Sequence, residues 1–123
     1  MKFAIFGTGG VGGYFGGRLA QAGEDVTFIA RGNHLSVIQQ TGLSVDSIRG
    51  DFVVHPAKAT DSTESVGDVD VVILAIKGWQ LDDAIFQMKP LIGDATVIVP
   101  LLNGIEHMEA LVNAFGSEHV LGG

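Results

Sequence analysis

"KFAIFGTGGVGGYFGGRLAQAG", residues 2–23, decides how this chain folds. Phe3–Phe6 is an apolar run of strand length. Val11 to Ala22 has helical spacing, with Val11, Phe15 and Leu19 at i, i+4 and i+8 on one face. Gly23 is placed to cap that helix. Between strand and helix stand Gly7, Gly9 and Gly12, in the pattern G-x-G-x-x-G, and Gly13, Gly16 and Gly17 run on into the helix. Each glycine inside a helix costs roughly 1 kcal/mol against alanine. Something must come so close to this backbone that side chains are given up, and Gly13, Gly16 and Gly17 are read as bringing the helix tight against its neighbours.

The glycine pattern alone is weak in a chain with 18 glycines. Its context is specific: a buried strand directly before, an amphipathic helix directly after, and a β-α-β unit of about 30 residues. In such a unit Gly7 permits the tight turn, Gly9 lets the backbone approach a pyrophosphate, and Gly12 lets helix and strand pack closely. The amides of the first helical turn then face the anion, with the helix dipole in support. Gly7, Thr8, Gly9, Gly10, Val11 and Gly12 are therefore candidate cofactor-binding residues. The plainer alternative is a glycine-rich turn with no ligand, which does not explain glycine at all three positions.

Downstream, apolar runs of strand length alternate with helical patterns. "DVTFIA" (Asp25–Ala30) is a second strand. "HLSVIQQTG" is a short helix with Leu35 and Ile38 on one face, ended by Gly42. "LSVDSI" and "DFVVH" flank Arg49-Gly50 as an antiparallel ribbon. "DVVILAI" (Asp70–Ile76) is apolar on both faces, as a parallel strand covered by helices must be. A helix from Leu81 to Lys89 follows. "TVIVPLL" is a further strand, its later half interrupted by Pro100. The next helix runs from Ile105 to Phe115, with Ile105, Met108, Leu111, Val112 and Phe115 inward. "HVLGG" begins one more strand, an ending that suggests a domain cut from a longer chain. The alternation predicts an α/β, doubly wound, mostly parallel sheet with helices on both faces, a Rossmann-like arrangement.

At 123 residues, 46% apolar and 17% charged, the chain has enough material for one domain with a real core. A net charge of −7 argues against a broad nucleic-acid surface, which needs clustered Lys and Arg. With no cysteine, disulfides, zinc-thiolate sites and thiol catalysis are excluded. The short apolar start and the lack of an 18-residue apolar stretch predict no membrane span and a cytoplasmic location. His34, His55, His107 and His119 are scattered without metal-ligand spacing, and "EHMEA" is not a zinc-helix motif, so no metal is expected. Asp82 and Asp83 stand in the first turn of a helix, where acids favour the dipole.

An NAD site usually carries an acid at the end of the second strand, roughly 20 residues past the glycines, for the ribose hydroxyls. Here that place reads Ala30-Arg31-Gly32-Asn33. A guanidinium suits a phosphate, and the missing carboxylate removes repulsion. NADP(H) is therefore the expected cofactor, with a solvated surface arginine as the alternative. Lys77 and Asn103 each follow a strand, where doubly wound sheets bind ligands. Lys77 is placed to meet a substrate carboxylate or the nicotinamide ribose. Asn103, in "PLLNG", is also a good helix N-cap or turn residue.

"KFAIFGTGGVGGYFGGRLAQAGEDVTFIARG", "AIKGWQ" and "LLNGIEHMEAL", in that order, resemble the amino-terminal part of the ketopantoate reductase (2-dehydropantoate 2-reductase) family. The resemblance covers essentially all 123 residues. It implies an NADPH-dependent oxidoreductase of pantothenate biosynthesis that reduces 2-dehydropantoate to (R)-pantoate. By it, Gly7 to Gly12 hold the pyrophosphate and Arg31 the 2′-phosphate. Lys77 lies at the nicotinamide side, and Asn103 meets both cofactor and keto acid substrate. The family's helical second domain, which supplies the catalytic lysine, has no counterpart among residues 1–123. The expectation is an NADP-binding domain without catalytic residues of its own, binding cofactor without efficient turnover. Self-association through the face such a domain would cover is also expected. The alternatives are a non-catalytic NADP(H)-sensing module and a related dehydrogenase acting on another keto or hydroxy acid.

Overall fold

A computed structural model of the chain describes residues 1–7, 10–45, 50–54, 57–75, 81–101 and 105–121. Five strands, β1 (Lys2–Phe6), β2 (Asp25–Ile29), β5 (Lys58–Thr60), β6 (Val69–Leu74) and β7 (Ile92–Pro100), form one parallel sheet in the order β5-β2-β1-β6-β7. β3 (Leu43–Val45) and β4 (Phe52–Val54) pair antiparallel as a separate ribbon. The helices are α1 (Gly10–Gln21), α2 (Gly32–Thr41), the short α3 (Thr63–Val66), α4 (Leu81–Met88) and α5 (Ile105–Phe115). None among the described residues is long and apolar enough to cross a membrane.

The period-2 alternation of strands sorts the core into two clusters, one on each side of the sheet. From β1, Phe3 and Ile5 join Val26, Phe28, Ile38 and Leu43 on the side of α1, α2 and the ribbon. Ala4 and Phe6 join Val72, Leu74, Ile98 and the α4 and α5 residues Leu81, Met88 and Leu111 on the other. This is the doubly wound sheet with helices on both faces that the alternation of apolar runs predicts. The antiparallel ribbon is present as well, and β6 is one of the strands buried on both faces. The predicted extra strand begins at Val120, which bridges Ile98 in parallel on the outer edge of β7.

One expectation is corrected. Phe15 does not face the sheet: it is 46% exposed. The buried side of α1 is instead Gly13, Gly16 and Gly17. A Cβ on Gly16 would stand 2.6 Å from Phe28 Cε1 and 2.9 Å from Ile5 Cγ1. The helix therefore lies with its main chain directly on two fully buried side chains. Burying Ile5 and Phe28 is worth about 1.5–3 kcal/mol each, which outweighs roughly 1 kcal/mol for the glycine beneath them. The interruption expected at Pro100 is where β7 ends. Pro100 pairs with Leu74 as the last residue of β7, and Leu101 N–H then donates to Leu74 O at 2.8 Å. The missing N–H of Pro100 faces away from β6, so no ladder bond is lost.

Polar groups fasten the sheet at its amino-terminal edge. The buried Thr96 hydroxyl donates to Val69 O (2.6 Å) and accepts from Gly93 N–H (2.8 Å), tying the start of β7 to β6. The Lys58 ammonium pairs with Asp25, joining β5 to β2. That hydrogen bond, aided by nearby positive charge, holds the Asp25 carboxyl below its usual value of 3.8.

Gly16→Ala should destabilise the fold despite its better helix propensity. Overpacking typically costs about 1–3 kcal/mol, against roughly 1 kcal/mol recovered. Urea denaturation checks the sign; a more stable variant would show that α1 can lift off the sheet cheaply. Because the folded-state pKa of Asp25 is lowered, its contribution is present above the unfolded value and is lost as pH falls through the folded one. Asp25→Asn should therefore lower stability slightly near neutrality and flatten the acid limb, so that variant and parent converge below about pH 4. Thermal melts between those pH values measure this.

Candidate cofactor site at the carboxyl edge

The strand order places the switch in winding direction between β1 and β6. From β1 the chain moves outward to β2 and β5, then returns across the sheet to β6 on the other side of β1. Ligands of doubly wound sheets bind outside the carboxyl ends of the strands at such a point. The edge is even. Ala30 N–H donates to Thr60 O at 3.1 Å, Ala75 N–H to Phe6 O at 2.9 Å and Leu101 N–H to Leu74 O at 2.8 Å. All five strands of the sheet thus hand their chains out at one level.

Gly7 is the first residue past β1. Its φ is +84°, a left-handed conformation that side chains rarely adopt. The turn redirects the chain from the sheet into α1, whose helical backbone begins at Gly10. Gly10, Val11 and Gly12 form the first turn of that helix, which carries no acidic residue. The first amides of a helix lack internal partners, and without a nearby carboxylate their partial positive charge stays available to an anion.

Arg31 follows β2 in an extended conformation (φ −137°, ψ 160°) and serves as the N-cap of α2 without a side-chain cap bond. Its side chain reaches sideways instead: Nη2 donates to Asp83 Oδ2. Gln87 Nε2 donates to the same carboxylate oxygen at 3.2 Å. Asp83 stands in the first turn of α4, which Leu81, Ala84 and Met88 root in the core. The ion pair is open to solvent, 61% and 60% exposed on its two sides. It links elements on either side of β1.

Of the expected site residues, the structure therefore brings Gly7, Gly10, Val11, Gly12 and Arg31 to one edge by their backbone positions. Thr8, Gly9, Lys77 and Asn103 lie outside the described residues. The sequence did not signal Asp83 as part of this edge; its place in a helical first turn explained it locally, and its partner is 52 positions away. A groove lined by Gln21, Glu24, Asp25, Val53 and Lys58 opens at the opposite edge, by the amino end of β2. Its charges are already matched, Asp25 by Lys58 and Glu24 by the terminal ammonium, and it is not where such sheets bind nucleotides.

Residues 3–123 match the family model described as ketopantoate reductase PanE/ApbA. The chain belongs to the ketopantoate reductase family. Members of this family are oxidoreductases that use a nicotinamide cofactor. The oxidoreductase YkpB of Bacillus subtilis is 45% identical over the whole chain, which covers 40% of that protein. A 2-dehydropantoate 2-reductase of Mesorhizobium japonicum is 42% identical over 85% of the chain and 32% of the relative. The crystal structure of 2-dehydropantoate 2-reductase from Geobacter metallireducens superposes with a TM-score of 0.91 at 35% identity, over 98% of this chain and 40% of that one. The chain thus spans about two fifths or less of the length of these relatives. A D-mandelate dehydrogenase, solved with NADH and anilino(oxo)acetate, is also similar, at 31% identity and a TM-score of 0.84 over 98% of this chain and 39% of that one.

Gly7→Ala tests the turn. A side chain forced into the left-handed region costs on the order of 1–2 kcal/mol. The variant should be less stable than the parent by that amount and so melt earlier in calorimetry, because α1 must leave β1 at the same angle.

Proposed function

We propose that this chain is the NADP(H)-binding domain of a reductase that converts 2-dehydropantoate to (R)-pantoate. The observation that carries the reading is the left-handed Gly7 turn into an acid-free helix start, with an arginine where an NAD site would place an acid. In this reading Gly7, Thr8, Gly9, Gly10, Val11 and Gly12 hold the pyrophosphate through main-chain amides. Arg31 binds the 2′-phosphate with charge-assisted hydrogen bonds. Lys77 and Asn103 line the nicotinamide and substrate side. When bound, the cofactor supplies a hydride to the substrate ketone.

A general acid must deliver a proton to the ketone oxygen as hydride arrives. No residue proposed here fills that role, so the domain binds cofactor without efficient turnover by itself. The exposed Leu101 and Leu121, at the β7 side of the edge, offer apolar surface to a docked second domain or a second copy. The D-mandelate dehydrogenase likeness favours a second reading, a related dehydrogenase of another 2-keto acid. Assays of the polypeptide that carries this domain against a panel of 2-keto acids separate the two.

Calorimetric titration tests the cofactor assignment. NADPH should bind more tightly than NADH. Arg31→Ala should weaken NADPH about tenfold, the loss expected for a hydrogen bond to a charged group, and leave NADH nearly unchanged. An unaltered NADPH preference in Arg31→Ala would refute the role of Arg31.

A further inference from the structure

Arg31 does not meet the mouth of the site as a bare cation. Asp83 holds its Nη2, and Gln87 helps fix the same carboxylate. In an NAD-type site the acid at this place comes from the end of β2 itself. Here β2 ends in Ala30 and Arg31, and an acid arrives instead from α4 across the end of β1. We propose that Asp83 tunes coenzyme choice: it competes with a phosphorylated ribose for Arg31 and so lowers the preference for NADPH over NADH. The inference rests on the reading of Arg31 as the phosphate ligand.

The physical argument is one of charge. A guanidinium has five N–H donors, so a phosphate can share Arg31 with Asp83 or displace it. Sharing brings a carboxylate beside a phosphate, and displacement breaks an existing ion pair; both weaken NADPH. A ribose with free hydroxyls suffers neither penalty, because it can donate to the Asp83 carboxylate. The pair is solvent-exposed, so the effect is modest and salt-sensitive.

The test titrates NADPH and NADH calorimetrically into the chain and its Asp83→Asn, Asp82→Asn and Arg31→Ala variants, with Asp83→Ala as a second form of the same removal. Asp83→Asn and Asp83→Ala should tighten NADPH by about three- to fivefold, the range of an exposed ion pair, with NADH unchanged or weaker. The gain should shrink in 0.5 M salt, roughly where surface charges are screened over a few ångströms. Asp82→Asn removes the same charge from the same helical turn and should leave the NADPH-to-NADH ratio as in the parent. Unchanged or weaker NADPH binding in the Asp83 variants, or equal tightening in Asp82→Asn, overturns the inference and leaves the Arg31 assignment standing. NADPH binding that ignores Arg31→Ala overturns both.

Discussion

The contact between the bare face of α1 and the centre of the sheet sets the rest of the architecture. Gly16 lets the helix backbone rest on Ile5 and Phe28, side chains from the two strands that begin the fold. With the helix that close, the link from β1 must turn sharply, and Gly7 makes the turn by adopting φ +84°. The first turn of α1 is thereby set just beyond the end of the central strand. The same glycines that weaken the helix as an isolated element thus position its amide-bearing end. Helix propensity is sacrificed locally because packing and placement are decided globally.

The electrostatics of the carboxyl edge follow from that placement. The chain as a whole is acidic, at −7. Against this background the first turn of α1 is free of acids, and the residue after β2 is an arginine. Both features favour an anion at the switch point in a molecule that otherwise repels one. Asp83 modifies the arrangement from a third element. α4 presents its acids at its own amino end, where the dipole favours them, and one of them lands on Arg31. A single carboxylate therefore serves its helix and restrains the neighbouring cation.

The polar fastenings at the other edge have a different purpose. Thr96 satisfies itself among Val69, Gly93 and Leu91 inside the fold, and Asp25 and Lys58 clip β2 to β5 at the surface. They hold strand register at the edge away from the Gly7 turn. Strand β7 is pinned near its start by Thr96 and ends at Pro100, whose missing N–H faces away from β6.

Strand and helix types, the doubly wound winding and the glycine turn were legible in the sequence because they depend on local periodicity and on residues a few positions apart. The position of Arg31 just past β2 was legible for the same reason: its distance from the glycines is set by one β-α-β unit. The direction faced by α1 was legible only in part: the run of Gly13, Gly16 and Gly17 signalled a close approach, but the apolar period grouped Phe15 with Val11 and Leu19. Phe15 is the larger apolar residue, yet the sheet selected Gly16, since only a side-chain-free face fits against Phe28. The short β5 and α3 carry too few residues for a periodic signal. Asp83 and Arg31 meet only because α4 returns to the edge beside β1, a juxtaposition across 52 positions that no spacing rule encodes. The sequence by itself determined the longer strands and helices and the glycine turn at Gly7, through short-range sterics and hydrophobic period. Tertiary packing alone decided which apolar residue of α1 is left outside and which charges oppose one another, because both depend on elements far apart in the chain.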